Sequence, residues 1–425
     1  MASKIEKLRK LAEKGGGHRE VDAMIIHKEL NFIERRHLED YFLVAHKLVT
    51  ELKRESNVII GPGWGWMISS HVCYSLGITN INPVDVGINP ILVWGDDKRD
   101  LTINIEVDEE SYYRVFQKAI ELFGYENVVR MPVMNIKNRD LSNHPHIGIK
   151  ANGEKVCLHT CALMICLDGV ENHFAVDEIT DEQGNKILCA KEFIEDCDNQ
   201  KILLFNVLTS DVLTRIKRIQ KLLENKGKEY SKMYEKTIEE EDYTLFYHGD
   251  LNEIPDFDNQ GIQKVTKMLM PKKECAAFEE LLNIQGLFTL GDGNSLVTEE
   301  MVAEYKHKHQ LTPFKEKFPY GFLFAEDAAW FIHYWTGLTW KQTAELLQYV
   351  FEKNEKEAEP LWTLSLFNAR DNGFKYAEIY RISHSVFNRS LIRSKAHYAG
   401  QLYLSVYLAG LKKTFPNEFD DTKGE

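Results

Sequence analysis

Residues 57–83 read NVIIGPGWGWMISSHVCYSLGITNINP. An apolar run at 57–60 suits a strand. Gly61, Gly63 and Gly65 then punctuate a turn, and a helical stretch closes on Leu76-Gly77-Ile78-Thr79-Asn80-Ile81-Asn82-Pro83. A glycine turn between strand and helix lets the backbone approach a phosphate, because glycine has no Cβ. Alone it is a weak motif, so the flanks decide its meaning.

Working outward, residues 1–17 read as a short helix broken at Gly15-Gly16-Gly17, and 20–56 carry helical periodicity. Residues 101–107, 156–168 and 201–207 read as strands. Residues 109–123 read as a helix ended by Gly124, and 211–225 as an amphipathic helix. Residues 226–241 are charged and expected to be exposed, and about 260–415 is mostly helical, with no internal repeat.

With 425 residues, 44% hydrophobic and 28% charged, the composition is that of a globular protein able to bury a substantial core. No apolar run is long enough to span a bilayer, and the N-terminus MASKIEKLRKLAEKGGGHRE is too polar for a secretory signal, so a cytoplasmic location is expected. Seven cysteines without paired spacing fit a reducing compartment. The net charge of −13 disfavours general nucleic-acid binding, which would need local cations. Two such sets exist: Arg215, Lys217, Arg218, Lys221, Lys226 and Lys228, and Arg389, Arg393, Lys395, Lys412 and Lys413. The plain reading of both is solvated helix faces.

The glycine stretch resembles the palm of the bacterial DNA polymerase III alpha subunit, the C-family polymerases. There the pattern is Gly-Pro-Gly-Arg-Gly-Ser, a helix, then Leu-Gly-Ile-Thr-Asp-Ile-Asp-Pro. Trp64 stands at the arginine and Trp66 at the serine. Residues 27–56 look like the family's helix pair leading into the palm. Gly261-Ile262 through Pro271, then Phe278-Glu279-Glu280-Leu281, is similar to its Gly-Met…Leu-x-Pro…Phe-Glu-Asp-Leu segment. Tyr320-Gly321 through Thr336-Gly337-Leu338-Thr339 matches a fingers element, and Lys395-Ala396-His397-Tyr398 through Phe419 matches a Lys-Ser-His helix of the fingers.

The resemblance implies an α/β palm of the polymerase-beta-like nucleotidyltransferase type, with a mixed sheet, followed by mostly α-helical fingers. The boundaries expected are 1–26 for an N-terminal helix and linker, 27–210 for the palm with a thumb reduced to residues 125–155, and 211–425 for the fingers. It also implies that the histidinol-phosphatase-like domain, the sliding-clamp motif and the OB-fold of full alpha subunits are missing, so the chain should not be processive.

Polymerases hold two divalent ions on carboxylates of adjacent strands. The resemblance puts the metal ligands at Thr102, Asn104 and Asn206, and a family lysine at Leu204. Only Glu106 keeps a carboxylate of the first-strand pattern. Neutral amides and a hydroxyl bind Mg²⁺ poorly, which implies an inactive enzyme with no cofactor. The alternative is a working DNA-directed nucleotidyltransferase with Mg²⁺ on shifted ligands. Asn104, Glu106 and Asp108 share one face of a strand, so Glu106 and Asp108 can hold an ion one step along. The plain reading of that face is a polar, solvent-facing edge.

Gly61, Gly63, Gly65, Lys395 and His397 are the candidate nucleotide-binding residues. His144, His146, Cys157, His159, Cys161 and Cys166 lie close in sequence but match no standard zinc spacing, and a packed strand is the better reading. Trp330, Tyr334, Trp335 and Trp340 suit base stacking or a helical core. Expected partners are DNA or a protein, with neither membrane nor sliding clamp. Three classes remain open: an inactive binding or regulatory factor, an active nucleotidyltransferase, and a module that occupies primer ends without extending them.

Overall fold

The apolar runs at 155–166 and 202–209 become adjacent antiparallel strands of a seven-stranded mixed sheet in the computed structural model. The described residues are 3–16, 19–88, 102–133, 145–193, 201–233, 238, 240–270, 277–290, 300–303, 307, 317–352, 354–378 and 394–423. The chain divides into two units. One comprises Met1–Gly63, Val72–Asn80 and Asp100–Tyr230, the other Trp64–His71, Ile81–Arg99 and Ser231–Glu425.

In the first unit the strands are β1 (Ile103–Val107), β2 (Val128–Pro132), β3 (Ile147–Lys150), β4 (Lys155–Cys166), β5 (Val176–Thr180), β6 (Lys186–Ala190) and β7 (Ile202–Thr209). Their order is β1-β7-β4-β2-β6-β5-β3. The long β4 also pairs through its first residues with β3, so β4, β2, β6, β5 and β3 close a ring. Leu158, Ile179, Ile187 and Cys189 pack together in this part of the unit. Strand β1 runs parallel to β7 with Asn104 opposite Asn206.

Helices α1 (Lys4–Gly15), α2 (Glu20–Arg35), α3 (Glu39–Lys53), α4 (His71–Ser75), α5 (Tyr112–Phe123) and α6 (Asp211–Asn225) complete the unit, with α1 packed on α2 and α3. Alternation buries Ile103, Ile105 and Val107 of β1 and Leu203, Phe205 and Val207 of β7. Tyr41 of α3 fastens this pair of strands. Its ring lies 5.0 Å from that of Phe205. Its hydroxyl accepts Ile103 N at 2.6 Å and donates to the Leu204 carbonyl.

One sequence expectation changes, and two parts of the sheet come from the structure alone. Residues 57–60 make a single bridge, Ile60 to Val107, and not a strand. The stretch 125–155, expected as a reduced thumb, supplies β2 in the middle of the sheet as well as β3. The hairpin β5–β6 was not anticipated. Asp181 closes its turn by accepting Gln183 N at 2.9 Å and Asn185 N at 2.8 Å.

The second unit is helical. Its central element is Lys395–Thr414, on which an unbroken run from Leu402 to Leu411 is buried. Tyr403 and Tyr407 donate to the carbonyls of Met233 and Ser231 at 3.0 and 2.8 Å. The turn Gly65–Ser69 packs on the same helix. Helices Ala325–Thr336, Trp340–Phe351 and Glu355–Asp371 enclose a second core that includes Phe331, Trp335 and Leu347. Gly337, at φ 65°, separates the first two where a left-handed residue is required.

Candidate functional site

The parallel pairing of β1 and β7 brings Asn104 and Asn206 side by side, both half-buried. Asn206 Nδ2 donates to Asn104 Oδ1 at 2.9 Å, and Asn206 Oδ1 accepts from Cys161 Sγ at 3.5 Å. Thr102 lies one residue before β1 and is also half-buried. Two of the three expected ligand positions therefore meet, but as an amide–amide hydrogen bond without charge. A Mg²⁺ ion needs anionic oxygen to offset the loss of its tightly held water.

The carboxylates one step along do not form a solvent-facing edge, which corrects that expectation. Asp108 is fully buried and Glu106 nearly so. Asp108 Oδ1 accepts Ser111 N at 3.2 Å and Lys217 Nζ at 2.7 Å. Its Oδ2 accepts Ile59 N at 3.1 Å and Ser111 Oγ at 2.6 Å. The residue caps the helical turn that leads into α5. A buried lysine already supplies its counter-charge.

Glu106 lies against the glycine turn. Gly61 N donates to its carbonyl at 2.8 Å, and a Cβ on Gly61 would stand 2.6 Å from Glu106 Oε2. Gly61 thus packs closely against β1, where a side chain would displace the end of Glu106. Gly63 and Gly65 have φ of 105° and 65°, a conformation that favours glycine. The helix that follows is the five-residue α4, and Val72 N at its start donates to the buried Glu29 Oε2 at 3.1 Å. A carboxylate of the chain itself occupies the position of an anion there.

In the second unit, Lys395 does not present its ammonium to solvent. Its side chain is 7% exposed, and Nζ lies 3.5 Å from both Glu279 Oε1 and Asp327 Oδ1. Burial pulls its pKa down, but Asp327, Glu279 and Glu326 outweigh this and hold it above the ordinary lysine value. Glu326 accepts Lys395 N at 2.9 Å and the Ser394 hydroxyl, so it caps the helix. Burial raises the carboxyls of Glu326 and Asp327. His397 lies 5.6 Å from the Trp64 ring and 5.2 Å from Tyr398. Trp64, at the family's arginine position, therefore packs on the histidine expected to meet a nucleotide.

The cationic sets are largely engaged. Lys217 pairs with Asp108 and Glu110, and Lys221 with Glu110. Lys412 pairs with Asp250, and Lys413 donates to Thr244 Oγ1. Arg389 and Arg393 lie outside the described residues, as does His144 of the cysteine–histidine set. Of the others, His146 stacks on Tyr112 at 4.5 Å, Cys157 and Cys166 are buried, and Cys161 Sγ lies 3.5 Å from His159 Nδ1. Burial raises the thiols of Cys157 and Cys161. Among the described residues no three His, Cys, Asp or Glu side chains are grouped to hold a metal ion.

Residues 4–141 match the family model for the bacterial DNA polymerase III alpha NTPase domain. Over this stretch the chain is similar to the DNA polymerase III alpha subunit, and it spans about a tenth of the length of the curated relatives it matches. The chain is 33% identical over 136 residues to the DNA polymerase III subunit alpha of Thermus aquaticus, covering 30% of this chain and 11% of that protein. It is 37% identical over 105 residues to the error-prone DNA polymerase of Corynebacterium glutamicum, covering 24% and 10%. It is 30% identical over 107 residues to the alpha subunit of Mycoplasma genitalium, covering 25% and 12%. The polymerase III alpha match contains the glycine turn, Thr102, Asn104, Glu106 and Asp108, whereas Asn206, Lys395 and His397 fall beyond residue 141. No helix among the described residues is long and apolar enough to cross a membrane.

Sequence reasoning missed Lys217, Glu29 and Glu326 as the partners that decide these sites. No local pattern marks them, since Lys217 is 109 residues from Asp108 and Lys395 is 69 residues from Glu326.

Proposed function

We propose that this polymerase III alpha relative is catalytically inactive and acts in DNA metabolism by binding nucleic acid or a protein. In this reading residues 27–210 are a palm, residues 211–425 are fingers, and the protein works in the cytoplasm without a sliding clamp. The observation that carries it is the hydrogen bond between Asn104 and Asn206, at positions where the family resemblance implies carboxylates. Asp108 supports it, since among the described residues its carboxylate accepts four hydrogen bonds, one of them from a lysine. Glu29 at the start of α4 and the enclosed Lys395 support the loss of triphosphate binding. The runner-up, catalysis on Glu106 and Asp108, requires Asp108 to leave Lys217, Ile59 and Ser111.

The test is primer extension with Mg²⁺ and then Mn²⁺, beside a Glu106→Gln control. Asp108 is left intact in that control because its removal is expected to unfold the unit. Folded protein should incorporate nothing with either ion. Extension that disappears in Glu106→Gln would overturn the proposal.

A further inference from the structure

The aromatic residues at 330–340 separate into core and surface. Trp335 is buried, with its ring stacked on Phe374 at 3.4 Å. Tyr334, its neighbour, is 59% exposed. Trp330 and Trp340 are partly buried and flank Tyr334 at 4.7 and 6.2 Å between ring centroids. His333 stacks on Trp340 at 4.0 Å and is fixed by its Nδ1, 2.7 Å from the Leu338 carbonyl. The Tyr334 ring is therefore contacted by Trp330, His333 and, edge-on, Trp340, while much of it remains in water.

Two lysines belong to this surface, one over the Trp330 ring and one next in the chain to Trp340. Lys317 Nζ stands 4.0 Å above the Trp330 ring, and among the described residues no carboxylate pairs with it. Lys341, next in the chain to Trp340, has a side chain 71% exposed and meets Glu345 only at 3.9 Å. Of the two larger cationic sets, Lys217, Lys221, Lys412 and Lys413 are engaged by carboxylates or a hydroxyl.

We infer that this surface, centred on Tyr334, binds single-stranded nucleic acid by stacking an unpaired base on the ring, with Lys317 and Lys341 facing the phosphates. A base has an aromatic face to lay on the tyrosine, and its strand carries the charge that complements the lysines. A duplex hides its base faces and is not accommodated in this way. The inference rests on the nucleic-acid-binding part of the proposed function and is independent of catalytic inactivity. Primer extension is thus a separate readout, and the two can fail separately.

The test is fluorescence anisotropy of the full chain with labelled oligo-dT and oligo-U, with unlabelled duplex DNA as competitor. Alanine substitution of a stacking aromatic is worth about 1 kcal/mol or more, or roughly fivefold in affinity. Tyr334→Ala should therefore weaken binding at least about fivefold, whereas Tyr334→Phe should bind like the wild type. Lys317→Ala should lower the slope of log affinity against log salt by about one. The preference between oligo-dT and oligo-U assigns the strand to DNA or RNA, and duplex should compete poorly. Equal binding by wild type and Tyr334→Ala would overturn the inference. So would duplex competing as well as oligo-dT, or folded wild type binding neither probe, which would give the surface to a protein.

Discussion

Replacing Asp108 with alanine should unfold the first unit at a markedly lower temperature, whether or not a divalent ion is present. The carboxylate is fully buried and takes contacts from Ile59 N, Ser111 N, Ser111 Oγ and Lys217 Nζ. Removing one member of a buried ion pair strands the other, at a cost of about 3–5 kcal/mol. For a unit of this size each kcal/mol lowers the melting temperature by about 2–4 °C, so a fall of roughly 6–20 °C is expected. Lys217→Met in the Asp108→Ala background should recover part of that loss, because it removes the stranded ammonium. Recovery should be incomplete, since Ile59 N and Ser111 still lose an acceptor, each worth about 1–3 kcal/mol when buried. Circular-dichroism melts of the wild type, Asp108→Ala, Lys217→Met and the double variant in EDTA and in Mg²⁺ give the cycle. A fall below about 2 °C for Asp108→Ala, or a wild-type melting temperature that rises in Mg²⁺ and does so only with Asp108 present, would refute a structural role for this residue.

Gly61→Ala should lower stability by about 1–3 kcal/mol, the usual cost of overpacking, because the new Cβ would meet Glu106 Oε2 at 2.6 Å and Glu106 Cβ at 3.1 Å. Glu106→Ala in the same chain should relieve only the first of these contacts, as urea denaturation of the single and double variants can check. Lys53 supplies a pH signature. Its ammonium donates to the Gly77 carbonyl at 2.7 Å and Asn80 Oδ1 at 3.0 Å, and burial pulls its pKa down to about 8 from 10.5. The unfolded chain therefore carries more protons than the folded one between those values, so stability contributed at this site should rise with pH across that window. In Lys53→Met the rise should be flattened. A Lys53→Met curve parallel to that of the wild type would contradict it.

Periodicity located the helices of the first 225 residues and the long strands, and gave 260–415 only as mostly helical. Helix Asp211–Asn225 falls at the bounds its amphipathic pattern implies, and residues 156–168 and 201–207 lie close to β4 and β7. Short strands with ordinary composition were not legible. β2 is only five residues long, and its place in the middle of the sheet comes from pairing with β4 and β6 across long sequence separations. The resemblance put Asn104 and Asn206 on neighbouring strands, and in the structure the two residues are opposite each other in the β1–β7 register. The burial of Asp108 and Lys395 was not legible, because a carboxylate or ammonium looks the same in sequence whether it faces water or a partner far along the chain. The surface role of Tyr334 beside the core role of Trp335 also depends on how their helix packs.

The central claim, that neutral amides have replaced an ion site, is tested most directly by titrating Mn²⁺ and following its electron paramagnetic resonance. The wild type should show no stoichiometric site. Thr102→Asp/Asn104→Asp/Asn206→Asp, which returns carboxylates to the three positions, should gain one. A stoichiometric Mn²⁺ site in the wild type that is lost in Glu106→Gln would contradict the claim.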